Sequence, residues 1–401
     1  MLSWNQTPAL ATLQRCRAWV EIDIGALQHN VRQLTRHIGP RSTLMAVVKA
    51  DAYGHGAVTV AQTALAAGAQ WLGVATVPEG LELREAGITA PILIMGAVHS
   101  PEEVAAIARW RLQPTLVSPK QALIFSAALG QRSGGALPVH LKLDTGMSRL
   151  GFPWQGAAEF VQFVQRLPHL HISSIYSHLA TADDPDPTIL RQQQQRYGAA
   201  IADCLPHLTT QPTLHLANSA ATLGFPDLHY DLVRVGLALY GLYPAPHLQS
   251  TLTLRPVMQV KARITHLREL SPGTGVSYGH TFIADRPLRM AVVGIGYADG
   301  VPRSLSNKMS VLVNGQTVRQ IGNITMDQLM IDVTAVANLQ EGSVVTLLGQ
   351  DGEQVITADH WASLTDTISW EILCSFKHRL PRITIDSTVG VSPPPEPVER
   401  R

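Results

Sequence analysis

The sequence LMAVVKADAYGHG (44–56) joins an apolar run, typical of a buried parallel strand, to a turn that contains two glycines. Seven more short apolar runs follow, with helix-like segments between them. The eight runs are LMAVVKA (44–50), WLGVAT (71–76), ILIMG (92–96), LQPTLVS (112–118), VHLKLDT (139–145), ISSIYSHL (172–179), TLHLANS (213–219) and LVRVGLALYG (232–241). Their number and span predict a (β/α)8 TIM-type barrel, with a doubly wound open sheet as the alternative.

Helix signals occupy the segments between these runs. Ser100 and Ser118 are capping residues, and the proline that follows each of them suits a first helical turn. Before the first run, Leu27, Val31 and Leu34 share one face of a helical period. We therefore expect an amphipathic helix over residues 23–38.

The sequence pattern changes after residue 250. The segment VKARITHL (260–267) alternates with a period of two, and Asn314-Gly315 lies between two apolar runs, which is a strong hairpin signal. These patterns predict a mainly antiparallel β domain. The expected division is an N-terminal segment over 1–17 that packs with the β domain, a barrel over 18–248, a β domain over 249–388 and a proline-rich tail over 389–401.

The composition excludes several classes of protein. The 401 residues include 31 Lys+Arg and 30 Asp+Glu, a net charge of +1 that argues against nucleic-acid binding. Three scattered cysteines are too few for a disulfide framework or a zinc site. The start of the chain lacks signal-peptide features, and no stretch is apolar for long enough to span a membrane. We therefore expect a soluble cytoplasmic protein that does not bind membranes.

Lys49 ends the first predicted strand, at the edge where barrels of this type carry their active sites. A lysine in an apolar strand is awkward to bury, because desolvation disfavours the charged amine. One interpretation is a snorkelling or salt-bridged lysine, which is the commoner case for an isolated strand lysine. The other is a Schiff-base lysine that a lowered pKa keeps nucleophilic.

Other polar residues follow the ends of later strands. Lys142 and Asp144 lie inside or just past strand five, and Arg149 follows a glycine turn. A structural ion pair at the barrel mouth is an equal alternative to function for these residues. His178 ends strand six, and a lone histidine there is usually structural. No second histidine or carboxylate stands at ligand spacing near it, so we predict no metal site.

The last two strands carry signals for an anion and for a heterocycle. Asn218-Ser219 begins a helical stretch after strand seven, and a hydroxyl with free backbone N–H groups there suits a phosphate. The alternatives are an ordinary helix cap at Ser219 and a packing role for Gly236. Arg234 lies inside an apolar strand and needs an acceptor, which a ring nitrogen would supply. In the β domain, Tyr278 lies between glycines in a turn.

Together these segments resemble the alanine racemases, two-domain pyridoxal-phosphate enzymes with a barrel and a β domain. The resemblance covers residues 16–384 in the same order, and eight motifs in register make it specific. The motifs are VVKADAYGHG, KLDTGMSRLG, SHLATAD, ANSAATL, RVGLALYG, VSYGHT, GYADG and TMDQ.

The resemblance implies two bases on opposite faces of the substrate. Lys49 would bind pyridoxal phosphate and move one α-proton, and Tyr278 would be the opposing base. Arg234 would face the pyridine nitrogen, with His178 supporting it. Arg149 would lie near the cofactor and the substrate carboxylate. The neighbouring Lys142 matches a position that is often carbamylated in the family.

Further residues match the family's cofactor and substrate contacts. The expected cofactor contacts are Tyr53, Asn218, Ser219, Gly236 and Leu237, and the expected substrate contacts are Met326 and Asp327. The chain departs from the family at Trp370, where a tyrosine usually reaches the phosphate. An indole offers one N–H on a different geometry, which puts that contact in question.

The expected function is interconversion of L-alanine and D-alanine, which supplies D-alanine for peptidoglycan. The resemblance also implies a homodimer in which each site pairs Lys49 of one chain with Tyr278 of the other. A serine or broad-specificity racemase is the alternative enzyme, and a non-catalytic pyridoxal-phosphate-binding barrel is the alternative from another class. A decarboxylase of the related barrel family is disfavoured if Arg234 faces the ring, because those enzymes use a carboxylate there.

Overall fold

The computed structural model describes residues 17–130 and 135–387. Of these residues, those within 27–255 form one compact unit, and residues 17–26 form a second unit with residues 256–387. We call them the barrel unit and the β unit. The expected tail over 389–401, and the N-terminal segment except Arg17, lie outside the described residues.

Eight parallel strands form the barrel unit, and each coincides with one predicted run. Barrel strands one to eight are Thr43–Val47, Trp71–Val74, Ile92–Ala97, Gln113–Leu116, Leu137–Asp144, Leu170–Tyr176, Thr213–His215 and Leu232–Val235. Neighbours in this order pair in parallel from strand one to strand seven, and strand eight pairs with strand one. A short strand, Phe152–Pro153, pairs beside strand five.

Backbone hydrogen bonds between the last two strand regions bring the ring nearly to closure. The Asp231 N–H donates to the Leu214 carbonyl at 3.0 Å, and the Arg234 N–H donates to the Ala217 carbonyl at 3.0 Å. An open sheet would leave those edge groups unpaired. The barrel prediction is therefore confirmed over its open-sheet alternative.

Two helices of the barrel unit begin where the sequence places a capping serine. The Ser100 and Ser118 hydroxyls accept N–H groups of the first turn, and each is followed by a proline. The helices up to residue 255 are Ile24–Ile38, Lys49–Gly54, Ala57–Ala67, Val77–Glu85, Pro101–Arg109, Pro119–Leu129, Ala157–Gln165, Thr188–Cys204 and Ser219–Gly224. The first confirms the predicted amphipathic helix, because Leu27, Val31 and Leu34 are fully buried.

The β unit is mainly antiparallel, as predicted. Its strands are Ala18–Asp23, Met258–Leu270, Gly275–Val276, Phe282–Ile283, Leu288–Val293, Ser310–Val313, Gln316–Arg319, Leu329–Asp332, Val344–Asp351, Gln354–Ile356 and Arg382–Ile385, and its helices are Ala358–Thr365 and Ser369–Ser375. The hairpin at Asn314-Gly315 is present, and both residues have positive φ, as its tight turn requires.

The start of the chain differs from the expected division. We expected the barrel to begin at residue 18, but Ala18–Asp23 is a strand of the β unit. It pairs antiparallel with Met258–Leu270 and parallel with Arg382–Ile385. The barrel unit instead covers residues 27–255. A strand takes its place from the partners that satisfy its N–H and C=O groups, and these partners lie more than 200 positions away.

Candidate active site

Four cationic side chains of the barrel unit act on His178. The charges of Arg234, Lys142, Arg149 and Lys49 all act on this histidine. Burial, followed by those four charges, holds the pKa of His178 well below its ordinary value. The imidazole is therefore neutral, and the local excess of positive charge suits a ligand that carries anionic groups.

Lys142 lies within barrel strand five and is 6% exposed. Burial, together with the charges of Arg234, Arg149 and Lys49, lowers the pKa of Lys142 to about 8, although Asp144 opposes that shift. A neutral and therefore nucleophilic amine is thus accessible near physiological pH.

Asp144 organises the loop that carries Arg149. Its Oδ1 atom accepts the backbone N–H groups of Gly146 at 2.9 Å and Ser148 at 3.0 Å. A side chain at Gly151, where φ is +146°, would meet the Asp144 backbone nitrogen at 2.6 Å. The loop therefore folds back tightly on the end of strand five.

Arg234 is buried in barrel strand eight and is held by four acceptors. Nη1 contacts His215 Nδ1 at 3.0 Å, and Nη2 contacts the Ser177 carbonyl at 2.8 Å, His178 Nδ1 at 3.2 Å and the Leu216 carbonyl at 3.1 Å. Burial lowers the pKa of Arg234 to about 10, so the guanidinium stays charged at neutral pH. The side chain is thus a fixed donor.

Lys49 lies two residues beyond the end of barrel strand one, which stops at Val47, rather than at the strand end itself. The four residues that follow it, 50–53, all have φ between 53° and 56° and form a left-handed turn. The Glu79 carboxylate accepts the Ala50 N–H at 2.7 Å and helps to hold this turn. L-residues adopt this conformation only at an energetic cost, so the surrounding structure must impose it.

Tyr53, Ser219 and Gly236 form a polar cradle after strands one, seven and eight. The Ser219 hydroxyl oxygen accepts the N–H groups of Gly236 at 3.0 Å and Ala238 at 3.4 Å. A Cβ atom at Gly236 would stand 2.5 Å from the Tyr53 hydroxyl, so only glycine fits there. Hydroxyls and backbone N–H groups are a donor set that suits a phosphate.

Two other predicted cofactor contacts border this cradle. The Asn218 side chain accepts the Ala221 N–H at 3.1 Å, which is the ordinary helix cap. Leu237 begins the buried 3₁₀ turn Leu237–Tyr240. The Asn218 side chain thus caps a helix, and Leu237 can contact a cofactor with polar groups only through its backbone.

In the β unit, Tyr278 is 76% exposed at the start of the turn Tyr278–His280. The Asn323 amide donates to its carbonyl at 2.7 Å, and the Ser277 hydroxyl donates to the Asn323 carbonyl at 2.7 Å. Ser277 has a φ of +63°. The strained backbone at Ser277 thus precedes a tyrosine whose side chain is exposed at the surface of the β unit. Such exposure is unusual for a tyrosine that serves only in packing.

Met326 and Asp327 lie on a loop that is hydrogen-bonded to the GYADG segment (296–300). The Tyr297 and Ala298 N–H groups donate to the carbonyls of Thr325 and Met326, each at 3.0 Å. Met326 is 53% exposed, and Arg379 binds Asp327 at 2.7 Å. Trp370 lies in the first turn of Ser369–Ser375. The predicted residues Tyr278, Met326, Asp327 and Trp370 thus belong to the β unit and the others to the barrel unit.

Three residues at the site received no role from the sequence. The Tyr176 ring lies 5.1 Å from the Arg234 guanidinium carbon and 5.6 Å from Lys142 Nζ. His215 and the Ser177 carbonyl bind Arg234 directly. Ser177 begins the motif SHLATAD, whereas Tyr176 and His215 precede the motifs and lie in the apolar runs ISSIYSHL and TLHLANS. Their only signal was a polar or aromatic residue near the end of a buried strand.

Comparisons with known proteins cover both units. The family model "Alanine racemase, N-terminal domain" matches residues 22–244, and "Alanine racemase, C-terminal domain" matches residues 257–384. An alanine racemase of Nostoc sp. is 67% identical over 92% of this chain and 96% of its own length. One from Synechocystis sp. is 65% identical over 92% of this chain and 100% of its own length.

Solved structures agree with the sequence matches. The crystal structure of alanine racemase from Bacillus anthracis with bound L-Ala-P has a TM-score of 0.87 at 34% identity, covering 92% of this chain and 95% of that chain. The alanine racemase of Streptomyces lavendulae has a TM-score of 0.85 at 37% identity, with coverages of 92% and 97%. Within residues 17–130 and 135–387, no helix is long and apolar enough to cross a membrane.

Proposed function

The chain belongs to the alanine racemase family and is a pyridoxal-phosphate-dependent isomerase that interconverts L-alanine and D-alanine, and we propose that Lys49 and Tyr278 are its two bases. The observation that carries this proposal is the convergence of Lys49, Lys142, Arg149 and Arg234 on the neutral His178. Such a site attracts a cofactor phosphate and a substrate carboxylate together.

The barrel unit offers a partner for each part of the cofactor. The Tyr53 hydroxyl, the Ser219 hydroxyl and the N–H groups near Gly236 and Leu237 are proposed to hold the phosphate. Asn218 would support this phosphate site, and Trp370 is proposed as a further phosphate contact through its indole N–H. Bound pyridoxal phosphate would delocalise the electron pair left on the substrate when the α-proton departs.

Arg234 is proposed to donate to the pyridine nitrogen. A guanidinium has five N–H donors and cannot accept a hydrogen bond, and Arg234 meets four acceptors within the barrel. At least one N–H therefore remains for a ring nitrogen. His178 supports Arg234 through its Nδ1 atom. A cationic donor favours an unprotonated pyridine, a weaker electron sink that suits brief proton exchange.

The two proposed bases differ in chemistry and act from opposite faces of the substrate. One must be deprotonated when the other is protonated, because the first removes the α-proton while the second delivers a proton. Arg149 is proposed to bind the substrate carboxylate. Met326, with Asp327 beside it, would line the substrate edge near Tyr278.

Lys142 is proposed to carry a carbamate. Its neutral amine would attack carbon dioxide, forming an N–C bond and releasing one proton. With a pKa of about 8 instead of 10.5, the neutral fraction at pH 7 rises roughly 300-fold. The resulting anion would orient Arg149 and offset the local excess of positive charge. Labelled bicarbonate should give a carbamate carbon signal that Lys142→Met lacks.

A homodimer with composite sites is the proposed assembly, and the proposed location is the cytoplasm. The large exposed fraction of Tyr278 supports the assembly, because a base that acts in its own unit would be expected to face inward. The proposed role of the product is to supply D-alanine for peptidoglycan. Assays with several L-amino acids would separate an alanine-specific enzyme from a serine or broad-specificity racemase.

Borohydride reduction tests the assignment of Lys49. Because of its bound cofactor, the purified protein should absorb light at the boundary between the ultraviolet and visible ranges. Reduction, digestion and mass mapping should then locate the cofactor on Lys49, and Lys49→Ala should carry no adduct. Lys120→Ala, on the exposed surface, is the matched control and should retain the adduct at Lys49. An adduct on any other lysine would refute the assignment.

A further inference from the structure

A line of hydrogen-bonded side chains runs through the interior of the barrel unit. Arg234 Nη1 contacts His215 Nδ1 at 3.0 Å, and His215 Nε2 contacts Ser174 Oγ at 3.0 Å. Ser174 Oγ contacts His140 Nδ1 at 2.5 Å, and His140 Nε2 contacts Gln113 Oε1 at 2.8 Å. We call these five residues the barrel chain. Its three middle members and Arg234 are buried.

Arg234 sets the direction of every hydrogen bond in the barrel chain. A guanidinium only donates, so His215 Nδ1 must accept and the proton of that ring must reside on Nε2. His215 Nε2–H then donates to Ser174 Oγ, whose own hydroxyl proton goes to His140 Nδ1. His140 Nε2–H in turn donates to Gln113 Oε1. Arg234, which lies at one end of the barrel chain, thus selects the same tautomer for both histidines.

The same pattern resists protonation. Burial lowers the pKa of His140 to about 3, and burial together with the charge of Arg234 holds the pKa of His215 well below its ordinary value. A charged His140 would turn its Nδ1 into a donor, and Ser174 would then face two donors with no acceptor for its own proton. An unmade buried hydrogen bond is costly, so the neutral arrangement is strongly favoured.

Packing holds the His215 ring in the plane that this pattern needs. The Tyr176 ring stacks on His215 with centroids 4.6 Å apart and an interplanar angle of 6°. The Tyr176 hydroxyl meets Thr115 Oγ1 at 2.7 Å, and Thr115 donates to the Ile94 carbonyl at 2.7 Å. Packing inside the barrel therefore fixes the position of the ring that accepts a hydrogen bond from Arg234.

We propose that Ser174 and His140 are positioning residues, which hold His215 as a neutral Nε2–H acceptor and thereby fix the guanidinium of Arg234. The inference rests on the proposed contact between Arg234 and the pyridine nitrogen. Ser174 and His140 lie within strands Leu170–Tyr176 and Leu137–Asp144, so they act through His215. Their loss should loosen Arg234 and weaken the preference for racemisation over transfer of the amino group to the cofactor.

Nitrogen NMR of the holoenzyme labelled with 15N-histidine tests the tautomers without measuring activity. Signals of His140 and His215 can be assigned by their disappearance in His140→Asn and His215→Asn. Both rings should be neutral with the proton on Nε2. A proton on Nδ1 of either ring, or a charged ring at neutral pH, would overturn the barrel chain. If one of these variants does not fold, the cofactor readouts of Ser174→Ala still test the proposal.

Ser174→Ala tests the positioning role. The variant should shift the visible absorption of the bound cofactor and raise pyruvate release per racemisation event about fivefold, the effect of losing one hydrogen bond. Ser174→Thr, which keeps the hydroxyl, should restore both readouts. Ser126→Ala is the matched control, because it removes a buried hydroxyl that donates to the Pro168 carbonyl. If the spectrum and the pyruvate released per racemisation event are unchanged in Ser174→Ala, the barrel chain has only a structural role.

The two proposals can fail separately. If borohydride places the cofactor on Lys49 but NMR finds a different tautomer, the barrel chain is wrong and the proposed bases stand. If NMR finds both Nε2–H tautomers but the cofactor maps to another lysine, the proposed function of Lys49 is wrong and the inferred tautomer pattern stands.

Discussion

Lys142 is the residue at which burial most directly predicts a dependence of stability on pH. In the folded protein its pKa is about 8, whereas its ordinary value is 10.5. Between these values the unfolded chain binds more protons than the folded protein, so the free energy of unfolding should rise with pH. In the apoprotein, denaturant titrations should show wild type gaining stability relative to Lys142→Met from about pH 8 to 10.5.

The control for this prediction is Lys120→Met, at a solvent-exposed lysine on the helix Pro119–Leu129. Its stability difference from wild type should stay flat over the same pH range. A Lys142→Met difference that is equally flat would mean that the amine is already modified or that solvent reaches it.

Gly236 offers a second prediction at this scale. A Cβ atom there would approach the Tyr53 hydroxyl to 2.5 Å and its ring carbon Cζ to 3.1 Å, so Gly236→Ala must displace Tyr53. Because the proposed phosphate site uses both residues, the cofactor dissociation constant should rise by about tenfold or more, the loss of one charge-assisted hydrogen bond. Fluorescence titration of the apoprotein with pyridoxal phosphate measures it.

The matched substitution is Gly198→Ala in the helix Thr188–Cys204, where an added Cβ meets nothing within 4 Å. It should leave the cofactor dissociation constant unchanged and raise helix stability slightly. Unaltered affinity in Gly236→Ala would argue that the phosphate lies elsewhere.

At the scale of an element, the left-handed turn after Lys49 predicts that replacing alanine by glycine stabilises the protein, whereas the same change in a right-handed helix destabilises it. Ala50 is exposed with a φ of +54°, a conformation that costs an alanine about 1–2 kcal/mol and a glycine little. Ala50→Gly should therefore stabilise the protein by up to about 1 kcal/mol in denaturant unfolding, after the entropy loss of glycine is subtracted.

Ala199 is the comparison, since it is exposed within the right-handed helix Thr188–Cys204. Ala199→Gly should destabilise the protein by about 0.5–1 kcal/mol. Equal losses for the two substitutions would contradict the left-handed turn. The comparison isolates backbone geometry, because both side chains are small and exposed.

At the scale of the whole molecule, the proposed composite sites predict complementation between inactive variants. Lys49→Ala and Tyr278→Phe should each be inactive as homodimers, because each of their sites lacks one base. After subunit exchange, a heterodimer has one intact site and one doubly broken site. Mixtures should recover partial racemase activity, up to about half of the wild-type value per heterodimer.

Native mass spectrometry must show that exchange has occurred. A mixture that exchanges subunits and remains inactive would mean that Tyr278 acts within its own chain. A double variant that carries both substitutions, mixed with either single variant, is the control and should stay inactive, since no combination then restores a complete site.

Local sequence patterns predicted the elements well, because they depend on neighbouring residues. Apolar runs marked all eight barrel strands, Ser100 and Ser118 marked helix starts, and Asn314-Gly315 marked the hairpin. The left-handed turn after Lys49 was not predicted. Among its residues Ala-Asp-Ala-Tyr, only Asp51 is of a type that favours positive φ, and contacts such as the Glu79 carboxylate on the Ala50 N–H support the turn.

The sequence by itself determined the number of barrel strands and the order of the two domains, and it named the candidate site residues, because hydrophobic period, turn chemistry and motif spacing depend on neighbouring residues. Only the tertiary structure decided that Ala18–Asp23 joins the β unit, because its hydrogen-bond partners lie more than 200 residues away. It also decided the pKa of Lys142 and the tautomer of His215. Burial and charges from distant segments set the pKa, and the hydrogen bond from Arg234 sets the tautomer, so no single stretch of sequence contains either property.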